Sequence, residues 1–164
     1  MRAWRGFALA ALTGAATVAA ASSGRAATAT ANLALQVEVL TGCEVGDASI
    51  DFGSYQSGQS AALVANTNLV LTNCTVDSVV VELDGGTAGD TTARRLTGPG
   101  GATLGYQLFK GPNLGNPFRD NGAGRTIDMT GRTTANVPVY GRIPGGQTVP
   151  AGTYTDTVNV TLTF

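Results

Sequence analysis

The 164-residue chain contains no histidine and a single lysine, Lys110. The missing imidazole removes the commonest general base and any His-ligated metal site. Charged residues make up only 13% of the chain and the net charge is -1, so no basic patch exists to hold nucleic acid. After the first two dozen residues no apolar run is long enough to cross a bilayer. Cysteine is limited to Cys43 and Cys74, too far apart for the C-x-x-C spacing of a redox pair. Helical periodicity is missing as well. No window repeats its apolar residues at three and four.

The segment at residues 1–26 is set apart from the fold. Arg2 and Arg5 precede an apolar, small-residue run, and Gly24-Arg25-Ala26 offers the small residues that a signal peptidase reads. This predicts a secretory signal peptide cut after Ala26, with Ala21 as the alternative, and an exported mature chain. In an oxidising compartment an even cysteine count predicts a Cys43–Cys74 disulfide. Closing a loop of about 32 residues stabilises by roughly 3–4 kcal/mol on the chain-entropy model.

Residues 27–39 then hold a period of two for thirteen residues. Ala27, Ala29, Ala31, Leu33, Leu35, Val37 and Val39 alternate with Thr28, Thr30, Asn32, Ala34, Gln36 and Glu38. This is an extended strand with one apolar face, longer than the usual five or six residues. Such a strand needs a groove. The end of the chain repeats the pattern: Tyr154, Val158, Val160, Leu162 and Phe164 are apolar, with Thr155, Thr157, Asn159, Thr161 and Thr163 between them. Asp156 alone interrupts the apolar face. Between these ends, strands are predicted at 68–72, 79–83, 104–109 and 126–129. Residues 137–140 read as an edge or bulged strand, because Pro138 cannot donate to a ladder. Asp84-Gly85-Gly86, Pro99-Gly100-Gly101 and Gly145-Gly146 mark turns. Seven or so short strands without helices predict an all-β sandwich.

The motifs Cys43-Glu44-Val45, Asp51-Phe52-Gly53, Gly105-Tyr106-Gln107-Leu108-Phe109 and Val139-Tyr140-Gly141-Arg142-Ile143 carry a resemblance, as does the block from Ala151-Gly152-Thr153-Tyr154 to Phe164. In this order they resemble the spore coat protein U domain family, which includes pilins of archaic (Csu-type) chaperone–usher pili. The resemblance implies an immunoglobulin-like β-sandwich lacking its last strand, with an N-terminal donor-strand extension. It implies a signal peptide at 1–26, a donor strand at 27–37 and a sandwich domain at 38–164. Ala29, Ala31, Leu33, Leu35 and Val37 would enter a neighbour's groove. Tyr154, Val158, Val160, Leu162 and Phe164 would form the acceptor-groove edge strand. The implied partners are neighbouring pilin subunits, a periplasmic chaperone and an outer-membrane usher. The implied destination is the cell surface, as an adhesive fibre. The alternatives are a spore or outer-coat structural protein and a tip or carbohydrate-binding adhesin.

Enzymatic activity, a metal and a small-molecule cofactor are not expected. Asp51, Asp84 and Asp156 sit in turn-like contexts where aspartate more often caps backbone than catalyses. Arg94-Arg95 reads as a solvated loop pair rather than an anion site. The Gly-rich runs lack a following helix or Lys, so they are no phosphate loop. Asn73-Cys74-Thr75 and Asn159-Val160-Thr161 match the glycosylation pattern, but both fall on predicted strands.

Overall fold

The structure is a computed structural model that describes residues 34–164. The predicted signal peptide and Ala29, Ala31 and Leu33 of the expected donor strand lie outside the described residues. Contacts divide the chain between Val37 and Glu38, and Glu38–Phe164 is one compact unit.

Among the described residues nine strands follow in order: β1 Glu44–Val45, β2 Leu63–Thr72, β3 Ser78–Leu83, β4 Arg95–Thr97, β5 Thr103–Gly105, β6 Gln107–Phe109, β7 Arg125–Asp128, β8 Ala135–Ile143 and β9 Val160–Thr163. They form a four-stranded sheet ordered β1-β2-β8-β6, a three-stranded sheet ordered β7-β3-β9, and a β4-β5 pair. All pairings are antiparallel. Two single 3-10 turns, at Gly86–Ala88 and Pro99–Gly101, are the helical content of the described residues.

Alternation explains the layering. On β2 and β8, Leu69, Leu71, Val137, Val139 and Ile143 face inward, and on β3 Val79, Val81 and Leu83 do the same. With Leu104, Leu108, Phe118 and Met129 they form one buried core. The Cys43–Cys74 disulfide is formed. It fastens the start of β1 next to the end of β2, where Glu44 opposes Thr72.

Three readings of the sequence need correction. The segment at 137–140 belongs to a nine-residue strand in the middle of its sheet, not at an edge. Proline is tolerated there because β6 reaches only as far as Tyr140, leaving that side of β8 unpaired at Pro138. The predicted strand at 104–109 is two strands that break at Tyr106, whose N–H bonds to the Arg94 carbonyl instead of a ladder. The opening alternation at 27–39 is described only from 34 to 39, where it carries no ladder within its own chain. The closing one becomes ladder only at β9, because residues 154–159 have a single bridge, Thr155 to Thr97, to pair with.

Candidate functional groove

β9 pairs with β3 on one side and has no strand on the other among the described residues. Preceding it, residues 149–159 bend at Ala151–Gly152 and carry no ladder apart from the Thr97–Thr155 bridge and an Asp84 N–H bond to the Asn159 carbonyl. Opposite them, residues 46–55 are equally unpaired apart from a Gly46 N–H bond to the Val70 carbonyl. Two clefts of about 550 Å3 each lie between these rims. Their floor is the core itself: Leu69, Leu83, Leu108 and Val139 under one, Leu104 and Ile143 under the other.

Each rim is held by side chains rather than by a sheet. On the first, Asp51 accepts the Gly53 N–H at 2.8 Å, making a tight turn in which Gly53 takes φ 70°. The turn drives Phe52 inward over Gly141 of β8, where any Cβ would collide with its ring. Tyr55 Oη accepts from Gln147 N–H at 2.9 Å and donates to its carbonyl at 3.2 Å. On the second rim, the Asp84 carboxylate accepts from Asn159 N–H at 2.9 Å and Asn159 Nδ2 at 2.6 Å. Asp156 turns into the cleft. Its Oδ2 accepts from Tyr106 Oη at 2.7 Å, and its Oδ1 accepts from Thr87 N–H, Thr87 Oγ1 and Thr157 N–H. Gly86 makes room for it, since a Cβ at that position would run into the carboxylate.

Burial works to raise the pKa values of Asp84 and Asp156, but hydrogen bonds outweigh it and hold both carboxyls below the ordinary 3.8. For Asp84 the donors are the Asn159 side chain and the Gly86 and Asn159 N–H groups, helped by the Arg94 charge. For Asp156 they are Thr87, Tyr106 and Thr157. Burial, with the Asp156 carboxylate next to it, pushes the Tyr106 phenol up.

The expected site residues fall as follows. Tyr154 lines one cleft, and Val158 and Val160 line the other. Leu162 is half-buried on β9 and Phe164 is 58% exposed; neither lines a cleft. Leu35 and Val37 are 87% and 84% exposed, as large apolar side chains seldom are. The first rim, with Ile50, Phe52 and Tyr55, escaped the sequence reading. Its signal was Asp51-Phe52-Gly53 together with the glycine of Val139-Tyr140-Gly141. Arg94 is a correction: it is 1% exposed, not solvated. It donates to the carbonyls of Leu83, Asp84 and Thr91 and to Gln107 Oε1. Among the described residues no group of three or more His, Cys, Asp or Glu converges as a metal site would require.

Unpaired backbone on two rims above an apolar floor suits an extended chain with alternate apolar side chains. Solved structures share this architecture. One is the chaperone–tip adhesion subunit pre-assembly complex of the archaic Csu pili of Acinetobacter baumannii, at TM-score 0.57 and 21% identity over 77% of this chain and 40% of that one. Another is the P pilus rod subunit PapA, at 0.54 and 18% over 74% and 97%. A third is a chaperone–usher pilus structure bearing on rod uncoiling, at 0.53 and 17% over 88% and 99%. The fold is thus all-β and immunoglobulin-like, of the kind found in chaperone–usher pilus subunits. Residues 29–161 match the Spore Coat Protein U domain, and the chain belongs to that family. "Protein U" of Myxococcus xanthus is 33% identical over 174 aligned positions, spanning 96% of this chain and 97% of the relative.

Proposed function

We propose that this chain is a structural subunit of a secreted surface fibre that polymerises by donor-strand exchange. The observation that carries this reading is the two-rimmed apolar cleft, in a chain whose residues 27–39 alternate apolar and polar. Ala29, Ala31, Leu33, Leu35 and Val37 of one molecule occupy the cleft of the next, completing a sheet beside β9. Each buried Leu or Val contributes about 1.5–3 kcal/mol. Each backbone bond along the strand adds about 0.5–1.5 kcal/mol. Head-to-tail insertion is heterologous, so it propagates as a filament rather than closing as a dimer.

Before insertion, the open cleft and the free β9 edge are an aggregation hazard. A periplasmic chaperone covers them in transit, and an outer-membrane usher exports the subunit to the cell surface. The resemblance to the solved chaperone–subunit complex supports this route, as does the signal-like segment at 1–26. Leu33→Asp and Leu35→Asp bury an unpaired charge in the joint and should abolish secreted fibres. Normal fibres from both variants would sink the reading.

A second reading is favoured by the family and by the 33% identity to "Protein U". In it the same exchange builds a coat layer, for a spore or outer surface. Immunogold labelling separates the two: filaments projecting from the cell support a pilus, and a continuous shell supports a coat.

A further inference from the structure

An asparagine side chain is short enough for the backbone nitrogen of the next residue to attack its amide carbon. A side chain on that next residue crowds the approach, and a proline there has no N–H to give up. Asn121 is the one asparagine of the chain followed by glycine. It stands at the tip of the loop between β6 and β7. Asp120 to Ala123 form a tight turn, in which the Ala123 N–H donates to the Asp120 carbonyl at 3.1 Å and Asn121 and Gly122 take φ 55° and 81°. Positive φ at both central positions is the turn that Asn-Gly favours. Both residues are exposed, and a Cβ at Gly122 would meet no atom within 4 Å. Asn121 Nδ2 donates to Asp120 Oδ1 at 3.0 Å, which holds the amide on the turn. Glu82 reaches the turn from β3, 40 positions away, and its Oε1 accepts the Gly122 N–H at 2.6 Å. A base within hydrogen-bond reach of the proton to be removed is the geometric requirement of general-base chemistry. The comparable Asp84–Gly85 junction is locked by contrast. Gly85 is buried against the backbone of Gly89 and Asp90, and the Asp84 carboxylate is held by Gly86 and Asn159.

We propose that Asn121–Gly122 is a self-modifying junction with Glu82 as its proton acceptor, and that the product loosens the loop at 110–124. Gly122 N bonds to Asn121 Cγ as its proton passes to Glu82. The Cγ–Nδ2 bond then breaks, the proton goes to the departing nitrogen, and ammonia leaves a cyclic imide behind. Solvent water opens the ring. Attack at Cγ gives aspartate, and attack at the main-chain carbonyl gives isoaspartate, with the backbone rerouted through the side chain. One water is consumed and one ammonia released. Isoaspartate puts an extra carbon atom into the backbone inside the Asp120–Ala123 turn. The carbonyls of Ala123 and Gly124 come next, and they accept from Lys110 Nζ at 2.7 and 2.6 Å. The same ammonium lies 5.8 Å from the centroid of the buried Phe118 ring. A longer turn draws those carbonyls away from Lys110 and releases the clamp that closes the loop.

The test ages the folded, secreted protein in neutral buffer and digests it with trypsin, which cuts at Arg119 and Arg125 and isolates the junction as Asp120–Arg125. Mass spectrometry of this peptide should show the ammonia-loss ring and its hydrolysis products, and isoaspartyl methyltransferase should methylate it. Glu82→Gln keeps an oxygen for the Gly122 N–H but supplies no base, so it should slow conversion about tenfold or more. Asn121→Gln should stay unmodified. Hydrogen exchange over residues 110–124 should quicken with age in the wild type and stay constant in Asn121→Gln. An intact Asn121 after ageing would overturn the site. Conversion as fast in Glu82→Gln as in the wild type would overturn the part given to Glu82. Unaltered exchange in modified protein would overturn the loosening of the loop.

Discussion

Arg94 and Arg95 are neighbours with opposite fates. Arg94 is enclosed and supplies the donors for three backbone carbonyls at the end of β3 and in the following loop, while Arg95 is exposed. Removing the guanidinium strands those carbonyls in a dry site. Arg94→Met should therefore cost about 2–4 kcal/mol of unfolding free energy. Arg95→Met should stay within about 0.5 kcal/mol. Denaturant melts of both variants check this. Nothing local distinguishes the two arginines, because burial is decided by strands far away in sequence. Asp156 was more legible, as the one polar interruption of the closing alternation. Its role against Tyr106 was not legible, since the two residues are fifty positions apart. Asp84 and Asp156 also give a pH signature. Their folded pKa values lie below the ordinary 3.8, so the stabilisation is complete above the unfolded value and is lost as pH falls through the folded values. The melting temperature should be level from neutral pH to about pH 5 and fall below about pH 4. Asp84→Asn and Asp156→Asn should melt lower at neutral pH but with a shallower acid slope. An unchanged acid slope in both would contradict the hydrogen-bond account.

Among the elements, strands with a strict period and a close partner were readable, and β3 falls within a residue of its expected place. Where pairing decides, periodicity misled. Residues 154–159 continue the alternation of β9 except at Asp156, yet they form no ladder, because the partner they need is not supplied by the described residues. The first rim was invisible for a different reason: Asp51-Phe52-Gly53 is a turn, and a turn has no period. Its structural counterpart is Gly141, which leaves space on β8 for the Phe52 ring. Gly141→Val should expel Phe52, lower stability by about 1–3 kcal/mol by overpacking, and loosen that rim. Thermal unfolding and hydrogen exchange over residues 46–55 would report both effects. The disulfide was readable from the even cysteine count and the signal-like composition of residues 1–26. The Cys43→Ala, Cys74→Ala double variant should lose about 2–4 kcal/mol.

The class of the whole molecule was legible from what it lacks and from how its two ends alternate. An all-β chain without helical period folds as a sandwich, and family and solved relatives agree. The feature that opened the question is the long apolar–polar alternation at residues 27–39; the same chain carries an open cleft with an apolar floor. Its floor is core, and its rims carry no strand ladder. The central claim is that residues 27–37 of one molecule complete the sandwich of another. Deletion of residues 27–35 from the secreted, full-length protein tests it most directly, with SDS-resistant oligomers resolved on an unheated gel. The account predicts that the ladder disappears while the deleted subunit is still captured by a chaperone. A ladder that persists in the deletion variant would contradict it.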